Sequence, residues 1–236
     1  MKSTNVIQGL RRLSRVLRGS GAQAAEEAFW DDYVRRVRKD GSHPYPCVGC
    51  DWHNEEEFLV LLQQYSSPRA EALEIGCGGG RITVTALRLF KHVHAADVSA
   101  EMLREARTAI AAPNVSFHKL DGWTLSGFSD ASVDHVFSHD VFVQLSSIQV
   151  YPYLREIMRV LTPGGIALVS CYDFVGQFAR FRDVSLAFWE ARRPASNRRL
   201  HFVTEEMLRA MLDDIGGELL KAHRGKFLTI AFRKPR

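Results

Sequence analysis

The stretch Ala72–Thr83, ALEIGCGGGRIT, sets one acid, Glu74, two residues ahead of three glycines spaced G-x-G-x-G: Gly76, Gly78 and Gly80. Glycine has no Cβ, so a backbone turn built from it can come close to a ligand. A dinucleotide turn needs G-x-G-x-x-G, so that pyrophosphate can rest on the helix N-terminus. Counted from Gly76, the sixth position is Arg81, and that pattern fails. An acid at Glu74 would repel a pyrophosphate; it suits an aminoacyl group or a sulfonium. The run HVHAADVSAEMLREAR ends a strand pattern at Asp97. A carboxylate there can accept both hydroxyls of a ribose, and such charge-assisted hydrogen bonds contribute roughly 1.5–3 kcal/mol each. Ser99 supplies the cap of the next helix, which leaves Asp97 for a ligand. In Leu120-Asp121-Gly122-Trp123 an acid can accept an adenine amino group and an aromatic ring can cover it.

These residues need a scaffold that brings strand ends together, and the chain reads as one. After Ser67-Pro68, short apolar runs alternate with helical patterns. Strands are expected at 71–75, 92–97, 114–118, 132–138 and 165–171, and helices at 80–90, 100–111 and 147–161. Such alternation means βαβ units and a parallel sheet covered on both faces. The tail reads as a helix at 204–214 and a hairpin of 218–223 with 227–233 around Arg224-Gly225-Lys226. Before residue 70 the texture differs. Val6, Leu10, Leu13 and Leu17 recur at helical spacing among arginines, so residues 4–18 read as a basic amphipathic helix, broken by Gly19-Ser20-Gly21. Residues 24–39 read as a second helix, 41–53 as an irregular stretch, and Glu55–Tyr65 as a third helix capped by Asn54. Two domains result: residues 1–69, a helical extension and substrate lid, and residues 70–236, the sheet domain.

The chain has 236 residues, 46% of them hydrophobic, enough for one sizeable core. Its net charge of +4 is unevenly spread. Residues 1–25 hold five basic side chains and residues 221–236 hold six, neither with any acid, so the middle is acidic. The basic pI therefore describes the two ends, and no nucleic-acid partner is expected from it. Four cysteines in a chain of this length are not a disulfide scaffold. With Cys77 and Cys171 at expected buried strand ends, a reducing, cytoplasmic setting is the simpler reading. No apolar run reaches the roughly 18 residues that span a bilayer.

The glycine turn, the strand-tip Asp97, the Asp121 segment and Arg159-Val160-Leu161-Thr162-Pro163-Gly164-Gly165, in this order, resemble the class I S-adenosylmethionine-dependent methyltransferases, in particular the small-substrate enzymes with an L-x-P-G-G turn. The resemblance covers about residues 70–233. It implies a Rossmann-like α/β fold: a seven-stranded sheet, strand 7 antiparallel, with helices on both faces and the N-terminal helical extension. It also implies S-adenosylmethionine as cofactor and S-adenosylhomocysteine as product. Carried over, Glu74, Gly76, Cys77, Gly78 and Gly80 line the methionine part. Asp97 holds the ribose, Met102 packs on adenine, Asp121 holds its amino group and Ser138 approaches the sulfonium, with Val98, Gly122 and Trp123 counted among the cofactor-binding residues.

The acceptor side is less determined. After the fourth strand, Ser138-His139-Asp140-Val141 stands where base-amine methylating enzymes of this fold carry N/D-P-P-Y/F, so that activity is set aside. His139 is the best-placed general base, with an ordinary pKa near 6.5; alternatively it only shapes the pocket. His43, Cys47, Cys50 and His53 could hold zinc, but no second pair of ligands accompanies them, so a lid carrying Tyr45 and Trp52 is expected and no metal. Arg192, Arg193, Arg198 and Arg199 form either a solvated face or an anion site. The expected activity is methyl transfer, at oxygen, to a small-molecule, lipid or glycan acceptor. Two alternatives stand beside it: a protein or RNA methyltransferase docking through the basic ends, and a non-catalytic binding subunit. Residues 4–18 offer a peripheral membrane or partner contact. The acceptor, the atom methylated and the oligomeric state are not given by the sequence.

Overall fold

The computed structural model describes residues 20–39, 55–190 and 200–236. Two helices come first, α1 (Ser20–Lys39) and α2 (Glu56–Tyr65). The sheet domain then runs β1 (Glu71–Ile75), α3 (Arg81–Ala86), β2 (His92–Asp97), α4 (Ala100–Ala109), β3 (Val115–Lys119) and β4 (Val133–Ser138). It continues with α5 (Ser147–Val160), β5 (Leu161–Asp173), α6 (Phe178–Glu190), β6 (Phe202–Val203), α7 (Glu205–Asp214), β7 (Glu218–Arg224) and β8 (Leu228–Arg233).

The main sheet path is β3-β2-β1-β4-β5-β8-β7. β1 pairs in parallel with both β2 and β4, whereas β8 is antiparallel to β5 and to β7. The seven-stranded sheet with an antiparallel last strand is therefore present, and β6 adds a two-residue bridge to β5 off this path. Successive residues of β1 feed opposite apolar layers, as the pleat requires. Leu73 and Ile75 join Leu154, Ile157, Leu208 and Leu212 from α5 and α7. Ala72 joins Phe58, Leu61 and Leu62 of α2 and Ile82 and Ala86 of α3. Burial on both faces accounts for the near-continuous apolar runs.

The order reverses between β1 and β4: the chain moves outward to β3 and then returns past β1. Such a switch point opens a crevice at the carboxyl ends of the strands, and here it lies between the glycine turn and the residues after Ser138.

Local boundaries differ from expectation: the helix expected at 80–90 ends at Ala86, and the strand expected at 165–171 runs from Leu161 to Asp173. α1 begins at Ser20, inside the expected break, and runs through Gly21. α2 begins at Glu56, with Glu55 at the N-cap position; Asn54, expected as its cap, lies outside the described residues. α6, a helix of 13 residues with none buried, was not expected at all. The amphipathic pattern at 4–18, the stretch 41–53 with its Cys47/Cys50 pair, and the arginines at 192–199 also lie outside the described residues.

Candidate functional site

The turn after β1 is held in shape by glycine. Gly76, Gly78 and Gly80 have φ of +77°, +53° and +94°, in the left-handed region that disfavours other residues. At two of them a side chain would also collide with a neighbour that would have to shift. A Cβ on Gly76 would lie 2.1 Å from Cγ2 of Val141, and one on Gly80 would lie 2.5 Å from Cδ1 of Ile110. Gly76 and Cys77 donate their N–H groups to the Ala96 carbonyl at 2.7 and 3.0 Å, which ties the turn to β2. Asp97, at the tip of β2, completes it. Its Oδ2 accepts from Gly78 N at 2.9 Å and its Oδ1 from Ser99 N at 2.8 Å. Two accepted bonds leave lone pairs on each carboxylate oxygen for a hydroxyl donor.

Glu74 and Cys77 are buried beneath the turn. Burial pushes the Glu74 carboxyl up to about 8, opposed by the hydroxyl of Thr83, which donates to Oε2 at 2.5 Å. Burial likewise raises the Cys77 thiol well above its ordinary value, so it is a neutral packing group. A cation beside Glu74 would favour the ionised carboxylate.

Ser99 caps α4 as expected: its Oγ accepts from Met102 N at 3.1 Å. The same hydroxyl donates to Asp31 of α1 at 2.5 Å, and Asp31 also accepts from Glu101 N at 3.3 Å. Arg38 of α1 pairs with Glu101 and Glu105, and Glu27 pairs with Lys119. The N-terminal extension thus braces the loop that follows Asp97. Val98 is half-buried against the main apolar layer, and Met102 is buried.

Asp121 caps its own loop. It accepts from Trp123 N and Thr124 N at 2.8 and 2.7 Å and from the Thr124 hydroxyl at 2.7 Å. Gly122 has φ of +78° and Trp123 is exposed. Ser138 is buried, and its hydroxyl donates to the Ile75 carbonyl at 2.8 Å, pinning β4 to β1.

His139 is 7% exposed, its ring between those of Phe58 and Phe227, with centroids 4.5 and 5.4 Å away. Burial pushes its pKa down to about 3, so the ring is neutral at ordinary pH. Ser170 Oγ accepts from Asp140 N at 3.2 Å and lies within hydrogen-bond distance of His139 Nδ1, also at 3.2 Å. Nε2 lies 3.5 Å from Asp140 Oδ2. Both ring nitrogens face protein groups. Asp140 itself has φ of +62°, a conformation rarely held by a non-glycine residue and concentrated at functional sites. Arg81 crosses beside it, with Nη2 3.2 Å from Asp140 Oδ2 and Nη1 2.6 Å from Glu55 Oε2. The residue that broke the dinucleotide pattern thus joins the glycine turn, α2 and the loop after β4.

The site therefore has two ends. One gathers Glu74, the three glycines and Asp97. The other gathers Glu55, Phe58, Arg81, His139, Asp140, Ser170 and Phe227, of which only His139 is expected from the sequence as a site residue. The glycine cradle and the strand-tip carboxylate fit an aminoacyl-nucleoside ligand with a ribose. Among the described residues, no group of His, Cys, Asp and Glu could hold a metal ion.

A family profile described as "Methyltransferase domain" matches residues 73–169. Solved structures share the fold. An S-adenosylmethionine-dependent methyltransferase from Methanosarcina mazei is 22% identical, with 74% of this chain and 97% of that one covered, at a TM-score of 0.60. A putative methyltransferase of Haloferax volcanii, in complex with the Trm112 methyltransferase activator, is 19% identical over 88% of this chain and 98% of its own, at 0.66. The [4+2]-cyclase SpnF is 18% identical over 76% of this chain and 80% of its own, at 0.57. No curated protein sequence matches the chain.

Proposed function

From the premise that residues 73–169 form a domain of the class I S-adenosylmethionine-dependent methyltransferase family, we propose that this protein transfers a methyl group to oxygen on a small-molecule, lipid or glycan acceptor. The cofactor is S-adenosylmethionine, which when bound supplies a methyl group on a positively charged sulfur. One observation carries the reading: Gly78 and Asp97, joined at 2.9 Å, set a ribose-binding carboxylate beside a left-handed glycine turn over the buried Glu74. The absence of N/D-P-P-Y/F after β4 argues against base amines as acceptors.

In this reading the chain's contribution is alignment. Asp97 accepts the ribose hydroxyls. The backbone of Gly76–Gly80 admits the aminoacyl part, and Glu74 faces its positive charge. The loop 139–141, fixed by Ser170 and Arg81, bounds the acceptor side. His139 is a positioning residue: its Nδ1 is engaged with the Ser170 hydroxyl, and its neutral ring fills the space between Phe58 and Phe227. Proximity and orientation, which can supply about 7–11 kcal/mol of a barrier, then account for the rate. Met102, Val98, Gly122 and Trp123 serve the adenine side as packing and cover, and Asp121 acts by shaping their loop.

A second reading has the cofactor bound without methyl transfer. It is favoured by SpnF, a cyclase of the same fold. Incubation with methyl-labelled S-adenosylmethionine and a mixture of hydroxylated small molecules, lipids and glycans separates the two. Label in the low-molecular-weight or lipid fraction supports the transferase. Label in protein or RNA would move the acceptor class, and tight binding with no transfer would support the second reading.

A further inference from the structure

We propose that α6 docks this protein on an anionic lipid bilayer. The helix carries an exposed stripe formed by Phe178, Arg182, Leu186 and Trp189, spaced at helical intervals on one side. Phe178 is 50%, Leu186 52% and Trp189 82% exposed, and Val175, just before the helix, is 58% exposed. Half of the exposed large apolar residues among the described ones fall within these 15 positions. An apolar stripe of this kind needs a partner.

The partner's chemistry follows from the charge of the sequence in and after the helix. From residue 175 to 199 the chain holds six arginines against Asp183 and Glu190, a net charge of +4. Arg182 lies within the stripe. The helix itself sets Arg180 and Arg182 against Asp183 and Glu190, and the excess positive charge comes from the four arginines that follow it in the sequence. Phe, Leu and Trp on one side of a helix with such a flank suit the boundary between lipid headgroups and acyl chains, where aromatic side chains can bury the ring and keep a polar edge in water. Position agrees. β1, β4 and β5 run in parallel, so the end of β5 at Asp173 lies on the same sheet edge as the glycine turn. A chain of aromatic contacts links the helix with the acceptor end of the site. Phe181 meets Phe202, Phe202 stacks on Tyr172, Tyr172 stacks on Phe227, and Phe227 meets His139. Docking through α6 would place the acceptor side of the crevice at the lipid surface.

The docking can be scored without cofactor, so its failure is separable from failure of the transferase reading. The full chain is pelleted with vesicles of phosphatidylcholine alone and of phosphatidylcholine mixed with phosphatidylglycerol. Binding is expected to the mixed vesicles, with about tenfold weaker binding to the neutral ones and for the F178S/L186S/W189S variant. Vesicles with bromine-labelled acyl chains should quench tryptophan fluorescence in the wild type, and W189F, which keeps an aromatic side chain, should lose most of that quenching. No pelleting with the mixed vesicles overturns the proposal. So does undiminished binding by the triple variant with unchanged quenching in W189F, which would assign docking to another segment such as residues 4–18. A wild-type dimer that the triple variant converts to a monomer, without vesicle binding, would instead make the stripe a contact between two copies.

Discussion

Ser170 Oγ lies 3.2 Å from His139 Nδ1 while accepting a hydrogen bond from Asp140 N, so one hydroxyl engages both the histidine ring and the loop after β4. With the ring buried and both nitrogens turned to protein groups, this relationship supports a positioning histidine over a proton acceptor. Replacement His139→Asn should lower turnover at saturating cofactor by no more than about tenfold, against the hundredfold or more that loss of a general base produces. The pH profile should show no limb near 6.5 in either protein. A wild-type limb at that pH, abolished in the variant along with most of the turnover, would restore His139 as a base.

The turn glycines allow a test that needs no acceptor. Gly76→Ala drives a Cβ into Val141 and forces a left-handed alanine, costing about 2–4 kcal/mol in combined strain and overpacking. The melting temperature should fall and the response to S-adenosylhomocysteine should vanish. Pairing it with Val141→Ala should recover part of the stability, because the clash is specific to that side chain. Equal instability of the single and double variants would count against the packing account.

Glu74 illustrates stability set against binding. Its folded pKa, about 8, stands above the ordinary carboxylate value, so the folded state holds a proton the unfolded chain releases. The protein therefore loses stability as pH rises from about 4.5 to 8. Glu74→Gln should remove that slope, stabilise the cofactor-free protein at pH 8, and weaken the cofactor. Denaturant midpoints across this pH range, with and without S-adenosylmethionine, give the answer; a slope that survives in the variant would contradict it.

His135 predicts the opposite slope at lower pH. It is 2% exposed between Phe90 and Phe137, with neither ring nitrogen hydrogen-bonded among the described residues, and burial pushes its pKa down to about 3. A histidine held neutral stabilises the fold fully only above its unfolded pKa, and stability drains away as pH falls from about 6.5 toward 3. His139 adds to this slope for the same reason. His135→Leu removes an unsatisfied buried group and should stabilise by about 1 kcal/mol at pH 5, with a flatter decline on acidification. A destabilised variant with the wild-type slope would show that His135 has a partner.

Much of the sheet domain could be read from the chain, because buried parallel strands leave continuous apolar runs and the hairpin at Arg224-Gly225-Lys226 carries its own turn signal. The glycine turn and Asp97 were legible for a similar reason: local backbone geometry dictates glycine, and the strand tip dictates where the acid stands. Contacts between distant segments were not legible. Asp31 reaches Ser99 across 68 positions and Arg81 reaches Asp140 across 59, and no pattern marks either pair in advance. Arg81 was noticed only for what it was not. α6 escaped because its inner side packs through aromatics without being fully buried, which leaves no clean helical stripe of core residues.

The brace between α1 and the Asp97 loop gives a further prediction. Asp31→Ala strips Ser99 Oγ of its acceptor and leaves the Glu101 N–H without its contact. S-adenosylhomocysteine affinity should fall severalfold, with only a small change in melting temperature, since the Asp97 carboxylate remains tied to Gly78 and Ser99. Unchanged affinity would detach the N-terminal extension from cofactor binding.

Calorimetric titration of the purified full chain with S-adenosylhomocysteine, and separately with NAD, tests the central claim most directly. The account predicts one site per chain for S-adenosylhomocysteine, lost in Asp97→Ala, and thermal stabilisation of about 2.7 kcal/mol at a hundredfold excess over the dissociation constant. NAD should give no heat of binding. Saturable binding of NAD with none of S-adenosylhomocysteine would contradict the cofactor assignment and the methyl-transfer reading built on it.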